Sequence, residues 1–280
     1  MILPGSASQS LGAALAAELD ERLAAVEYER FADGELVVRV ADPEPADRAV
    51  VVASTVSGDA HVELLQLQDV ARQYAEEVVT VLPYMGYARQ DQAFRGGEPV
   101  SARAVARALS PGTDRVLCVD PHERAVGEFF DAPFEALAAA DRLAAPLPDL
   151  ADPLFLGPDA SARGLARDVR DAHGSGTVDH FEKHRDRDTG EVSVAPSETD
   201  AAGRDVVLVD DIVATGGTMS EAIGQLESPA HVFVACVHAM LAGNARSRLA
   251  RAGVDRVYGT DTLERAETAV SVAPTVADAL

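Results

Sequence analysis

The sequence predicts an α/β protein of two similar domains, each a mostly parallel sheet flanked by helices. Short runs of β-branched and other apolar residues alternate with helix-like stretches, the pattern that builds a parallel sheet covered on both faces. The runs come as two sets of three, one in each half of the chain. A length of 280 residues accommodates one large or two ordinary domains.

In the first half, Arg30, Phe31, Ala32, Asp33, Gly34 and Glu35 read as a turn before a short alternating strand at 36–40. Apolar strands follow near 49–53, 78–82 and 115–119, with helical patterns near 60–75 and 101–109. The second of these strands runs into Pro83, Tyr84, Met85, Gly86, Tyr87, Ala88, Arg89, Gln90 and Asp91. An arginine there can pair with a phosphate or stack on a base, and Gln90 can hydrogen-bond either. His122 lies just beyond the third strand. Ala, Pro and Asp cluster at 139–153, so the boundary is expected there, giving domains of 1–143 and 144–280.

In the second half, strands are expected near 154–156, 206–209 and 231–237, and helices near 161–172 and 218–227. His238 follows the third strand, as His122 does in the first half. The run 206–209 ends in Asp210 and Asp211, and Ala214, Thr215, Gly216, Gly217 and Thr218 lead into the next helix. Open α/β sheets bind ligands at this end of their strands. Glycines let backbone N–H groups approach an anion, and a helix start adds partial positive charge. Two carboxylates beside such a cradle suit a sugar phosphate, because they accept hydrogen bonds from ribose hydroxyls. An ordinary strand, turn and helix with a solvated acid pair is the plainer alternative.

Asp and Glu number 46 against 24 Lys and Arg, a formal net charge of -22. Such a surface repels nucleic acid, and the acids are spread along the chain rather than gathered in a tail. Lys183 is the only lysine. A dispersed acidic surface without lysine fits a high-salt cytoplasm, where screening relieves self-repulsion; GC-rich codon usage would explain the arginine bias but not the acid excess. The midpoint of thermal unfolding should therefore rise across a KCl series into the molar range, and a flat or falling midpoint would contradict this reading. No apolar run reaches transmembrane length and no basic region precedes an apolar N-terminal stretch, so a soluble, cytoplasmic chain without membrane contact is expected. Cys118 and Cys236 sit inside apolar runs and read as buried, reduced thiols.

The stretch 206–218 resembles the 5-phosphoribosyl-1-pyrophosphate (PRPP) loop of type I phosphoribosyltransferases and PRPP synthetases. A simple phosphoribosyltransferase would share only this loop. Here Phe31 to Glu35, Tyr87 to Asp91, Val119 to His122, Gly127 to Asp131, Lys183 to Arg185 and the loop at 209–218 occur in an order and spacing similar to the ribose-phosphate diphosphokinase (PRPP synthetase) family, over almost the whole chain. The resemblance implies two phosphoribosyltransferase-like domains, the first on the ATP side and at a subunit interface. It also implies transfer of the β,γ-diphosphoryl group of ATP to the 1-hydroxyl of ribose 5-phosphate, with Mg2+, in a homo-oligomer of shared sites.

Residue by residue, the resemblance implies the following. Phe31, Asp33 and Glu35 contact adenine from a neighbouring subunit. Arg89 and Gln90, with Asp91 beside them, hold ATP in the catalytic subunit. His122 is a ligand, direct or through water, of the magnesium on the ATP phosphates, and Asp159 serves the second metal and the sugar. Asp210 and Asp211 face the ribose hydroxyls; Ala214 belongs to the same loop, in which Thr215, Gly216, Gly217 and Thr218 hold the 5-phosphate. Lys183 and Arg185 are the catalytic cations, and the polar stretch 184–191 with its turn glycine suits a mobile lid. Ala214 stands where some members carry a third acid, and Ser161-Ala162 where the family usually has two glycines. A phosphoribosyltransferase that consumes PRPP, or a non-catalytic regulatory homologue, is the alternative; the latter would be expected to lack His122, Lys183 or the acid pair.

Overall fold

The apolar runs of the first half lie side by side as parallel strands. The computed structural model describes residues 1–150, 152–185, 192–195 and 200–280. They divide into two units, Met1–Ala138 with Asp261–Glu264 and Ser271–Leu280, and Ala139–Thr260 with Arg265–Val270.

The first unit runs β1 (Ile2–Pro4), α1 (Gln9–Leu19), β2 (Ala25–Arg30), β3 (Leu36–Ala41), β4 (Ala46–Val52), α2 (Gly58–Tyr74), β5 (Ala75–Leu82), α3 (Ser101–Leu109), β6 (Arg115–Val119) and β7 (Phe134–Leu137). Its main sheet is parallel throughout, in the order β1-β4-β5-β6-β7. Both faces are covered, which is why the strands read as unbroken apolar runs: Val50, Val51, Val52, Val81, Leu82, Val116 and Leu117 are fully buried. Helix α2 begins at Ser57, whose hydroxyl accepts the Ala60 N–H, and buries Leu64, Leu67 and Ala71 at helical spacing. Strands β2 and β3 form an antiparallel hairpin apart from the sheet. Gln66 of α2 pins it, accepting from the Val38 N–H and donating to the Leu36 carbonyl, each at 2.9 Å.

The second unit runs α4 (Ala140–Ala144), β8 (Leu154–Gly157), α5 (Arg163–His173), β9 (Thr177–His180), β10 (Glu182–Arg185), β11 (Val192–Ala195), β12 (Asp205–Ile212), α6 (Gly217–Ile223), β13 (His231–His238), α7 (Ala245–Arg251), β14 (Arg256–Thr260) and β15 (Thr268–Val270). Six strands make a parallel sheet ordered β15-β14-β13-β12-β8-β9. The chain lays β9 on one side of β8 and β12 on the other. The gap between β8 and β12 is therefore a topological switch point, where such sheets open a crevice for ligands. Strands β10 and β11 pair antiparallel, separately from this sheet.

The units differ from the expected domains 1–143 and 144–280. The stretch expected as a linker contains α4, which buries Ala140, Leu143 and Ala144 and packs on α5, β13 and β14 in the second unit. The C-terminal helix α8 (Ala273–Asp278) returns to the first unit, where it packs on α1, and Arg48 donates to the Leu280 carbonyl at 2.7 Å. Helix α6 stops at Gly224, short of the expected 227, and His238 closes β13 as a buried residue rather than following it. Cys118 and Cys236 are buried and free, and burial pushes both thiols up, so neither is poised as a nucleophile. No helix among the described residues is long and apolar enough to cross a membrane.

Candidate active site

In the second unit the acids gather at the switch point. Asp210 and Asp211 lie at the C-terminal end of β12, and Asp159 follows the neighbouring β8. Asp159 turns the chain into α5: its carboxylate accepts from the Ser161 hydroxyl and, at 3.1 Å, from the Ser161 N–H. Burial, with the negative charges of Asp211 and Asp159 nearby, pushes the Asp210 carboxyl up to about 8. Its one lowering influence is the Asp211 N–H, which donates to it at 3.0 Å.

This raised value fixes the sign of a pH effect. In the unfolded chain Asp210 ionises near the ordinary value of 3.8, whereas in the fold it holds its proton to about 8. Its contribution to stability is thus complete below about 4 and is lost as pH rises to about 8. Asp210→Asn, which never ionises, should melt above the wild type at pH 8 without substrates, and the gain should vanish near pH 4. Unfolding across pH at constant KCl checks this. A gain that grew toward acid would contradict it.

Beyond Asp211 the chain makes the anticipated turn. Gly216 adopts φ 70°, a left-handed conformation that favours glycine, as the N-cap of α6. Its carbonyl accepts from the Ser220 N–H and hydroxyl at 3.0 and 2.8 Å. The turn is tied to the β13–α7 connection, since the Leu241 and Ala242 N–H groups donate to the Val213 and Ala214 carbonyls at 2.9 and 2.8 Å. Thr215 and Thr218 are exposed, and Gly217 is half-buried. Ala214 contributes this backbone tie and no polar side chain.

In the first unit, Phe31, Asp33 and Glu35 sit exposed at the tip of the β2–β3 hairpin. Phe31 N–H donates to the Glu35 carbonyl at 2.8 Å, and Asp33 accepts from the Glu35 N–H at 3.1 Å, so the tip is an ordered turn. Arg30 fastens it to the start of α2 by pairing with Asp59 at 2.6 Å. Arg89, Gln90 and Asp91 share the turn after β5, in which Tyr87 has φ 65°. Thr55 grips that turn, donating its N–H to the Tyr84 carbonyl at 2.9 Å and accepting the Gly86 N–H at 2.7 Å. Gln90 accepts from the Ser101 hydroxyl at 2.7 Å at the start of α3. Arg89 is exposed and makes no hydrogen bond or ion pair among the described residues. His122 is exposed beyond β6, two residues after Asp120, whose φ of 35° marks a tight exit from the strand.

Lys183 and Arg185 fall on β10, paired in register with Val194 and Val192. Their side chains, and residues 186–191 of the expected lid, lie outside the described residues. The start of that polar stretch is thus one strand of a hairpin rather than open loop. The ties made by Arg30, Thr55 and Asp59 were not legible in the sequence, because they join segments about 30 residues apart.

Residues 1–111 match the family model for the N-terminal domain of ribose phosphate pyrophosphokinase, and residues 135–272 match that for the phosphoribosyl transferase domain. Over 282 residues the chain is 62% identical to a ribose-phosphate pyrophosphokinase of Halobacterium salinarum, with both proteins covered in full. The chain belongs to the ribose-phosphate pyrophosphokinase family. It is 44% identical to the ribose-phosphate pyrophosphokinase of Methanosarcina mazei, over all of this chain and 94% of that one. Its fold is similar to the crystal structure of phosphoribosylpyrophosphate synthetase from Mycobacterium smegmatis, with a TM-score of 0.84 and 29% identity over 100% of this chain and 96% of that one. Family membership makes the protein a transferase, a kinase of nucleotide biosynthesis, with the two-domain α/β fold its sequence implies. The match of the N-terminal domain excludes a simple phosphoribosyltransferase.

Proposed function

We propose that the enzyme transfers the β,γ-diphosphoryl group of ATP to the 1-hydroxyl of ribose 5-phosphate, giving PRPP and AMP. The observation that carries this reading is the meeting of Asp159, Asp210 and Asp211 with the glycine turn at the switch point of the second unit. A turn offering backbone N–H groups suits a sugar phosphate, and acids beside it suit ribose hydroxyls. The oxygen on ribose carbon 1 bonds to the β-phosphorus, the bond from that phosphorus to the α,β-bridging oxygen breaks, and AMP leaves with that oxygen. The proton of the 1-hydroxyl passes to solvent. Positioning and charge neutralisation supply most of the catalysis in such transfers.

In this reading Asp210 and Asp211 orient the ribose, and Thr215, Gly216, Gly217 and Thr218 hold its 5-phosphate. Arg89 and Gln90, beside Asp91, hold ATP. Lys183 and Arg185 supply positive charge at the transferring phosphates. The carboxylate of Asp159 fits Mg2+, a hard cation of oxygen ligands, and would serve the second metal; His122 would serve the metal on ATP, directly or through a water. Magnesium, when bound, would neutralise charge on the transferring phosphates. ATP labelled in its β-phosphate should give labelled sugar product, and ATP labelled in its α-phosphate should give labelled AMP. Label from the γ-phosphate alone reaching the sugar would refute the transfer.

The exposed hairpin tip supports a homo-oligomer in which Phe31, Asp33 and Glu35 complete a neighbour's site. A Phe31→Ala plus Asp33→Ala chain and a Lys183→Ala chain, each inactive alone, should regain roughly a quarter of wild-type activity when unfolded and refolded together, since reciprocal interfaces leave one of two shared sites intact in mixed pairs. No recovery in a mixture shown to have exchanged chains would mean that each site is built within one chain.

A further inference from the structure

Helix α7 carries a cation that pairs with no acid among the described residues. Ala245 and Leu249 are buried and hold the helix against the phosphate-loop turn: a Cβ on Gly216 would lie 3.3 Å from Leu249 Cγ. That seating turns Arg248 toward the turn. Its Nη1 lies 3.1 Å from where a Cβ on Gly217 would stand. Arg248 is half-buried, yet its guanidinium makes no hydrogen bond or ion pair among the described residues. Its neighbour Arg246 is already engaged, donating to Glu267 through two nitrogens at 2.5 and 2.8 Å.

A half-buried guanidinium without an acceptor is held at a cost unless a ligand supplies one. The sugar phosphate of the proposed reaction is a dianion, and it must settle beside Asp159, Asp210 and Asp211 in a chain of net charge -22. Backbone N–H groups alone offset little of that field, whereas a planar guanidinium forms paired, charge-assisted hydrogen bonds with phosphate. We propose that Arg248 is a substrate-binding residue that pairs with the 5-phosphate in the turn 215–218 and makes the site select phosphorylated over unphosphorylated ribose. This inference rests on the functional reading above. It adds a side-chain cation to a cradle otherwise made of backbone and threonines.

Because the 5-phosphate is remote from the reacting carbon 1, removing this guanidinium weakens binding of the sugar rather than the chemical step. At fixed KCl, Arg248→Ala should raise KM for ribose 5-phosphate ~10–100-fold, the range for removal of a charge-assisted hydrogen bond, with kcat changed less than ~3-fold and KM for ATP unchanged. Arg248→Lys should recover part of the loss. With unphosphorylated ribose as acceptor, wild type and Arg248→Ala should have equal kcat/KM, so preference for the phosphorylated sugar falls by the same factor. Arg251→Ala, which removes an exposed charge from the same helix, should leave all these values unchanged. An unchanged KM for ribose 5-phosphate in Arg248→Ala, with the wild type active, would overturn this inference alone. So would a parallel loss with both acceptors and no recovery in Arg248→Lys, the mark of a structural role. A wild type that forms no AMP from ATP and ribose 5-phosphate would overturn the functional reading and this inference together.

Discussion

Lys183→Ala should lower turnover by ~10²–10³, the scale of removing one preorganised donor from charge that develops in a transition state. The effect should be large because the acidic chain has kept a single lysine, against 46 Asp and Glu. Strand β10 places that position in a hairpin, with Lys183 opposite Val194, so its backbone is set by pairing rather than free in a loop. The turn proposed to hold the sugar phosphate lies at 215–218, so KM for ribose 5-phosphate should change little. Steady-state kinetics at fixed KCl separates the two parameters. A rate near that of wild type would remove Lys183 from the chemistry, and an intact kcat with a raised KM for the sugar would move it to the wrong substrate.

The second large effect concerns the acids at the end of β12. Replacing Asp210 and Asp211 together by Asn preserves size and removes charge. Ribose hydroxyls would lose the carboxyl acceptors of both side chains. Turnover should fall ~10–100-fold with a raised KM for ribose 5-phosphate, the range for removing a charge-assisted hydrogen bond. ATP binding should largely survive, because the residues assigned to ATP lie elsewhere in the chain. The double variant should also be more stable than wild type at pH 8 without substrates, since the buried Asp210 no longer has to be kept from ionising beside Asp211 and Asp159. Lower activity with higher stability is what a functional site under electrostatic strain gives. If the variant bound the sugar normally and lost ATP, the two substrates would have been assigned the wrong way round.

How much was legible follows from how local each feature is. β4, β5, β6, β8, β12 and β13 are buried on both faces, so their residues stand as unbroken apolar runs. The edge strands β1, β7, β9 and β15 span three or four residues and carry too little pattern to read. Helix α4 was lost among alanines and prolines that resemble a linker, although Leu143 is fully buried. The return of α8 to the first unit depends on packing against α1, more than 250 residues away in sequence, and no local pattern encodes it. The acid pair and glycine turn were legible because one strand and the turn after it contain them. Strand order, invisible in the sequence, is what sets Asp159 beside Asp210. Arg248 was missed for the same reason, since α7 comes to the turn through packing by Leu249.

The measurement that bears most directly on the account is AMP formation from ATP by the purified protein in molar KCl, with ribose 5-phosphate and magnesium each supplied or withheld. AMP should appear only when both are present, in one-to-one ratio with PRPP. AMP released from ATP and magnesium without the sugar, or no AMP under any condition alongside consumption of PRPP with a nucleobase, would contradict it.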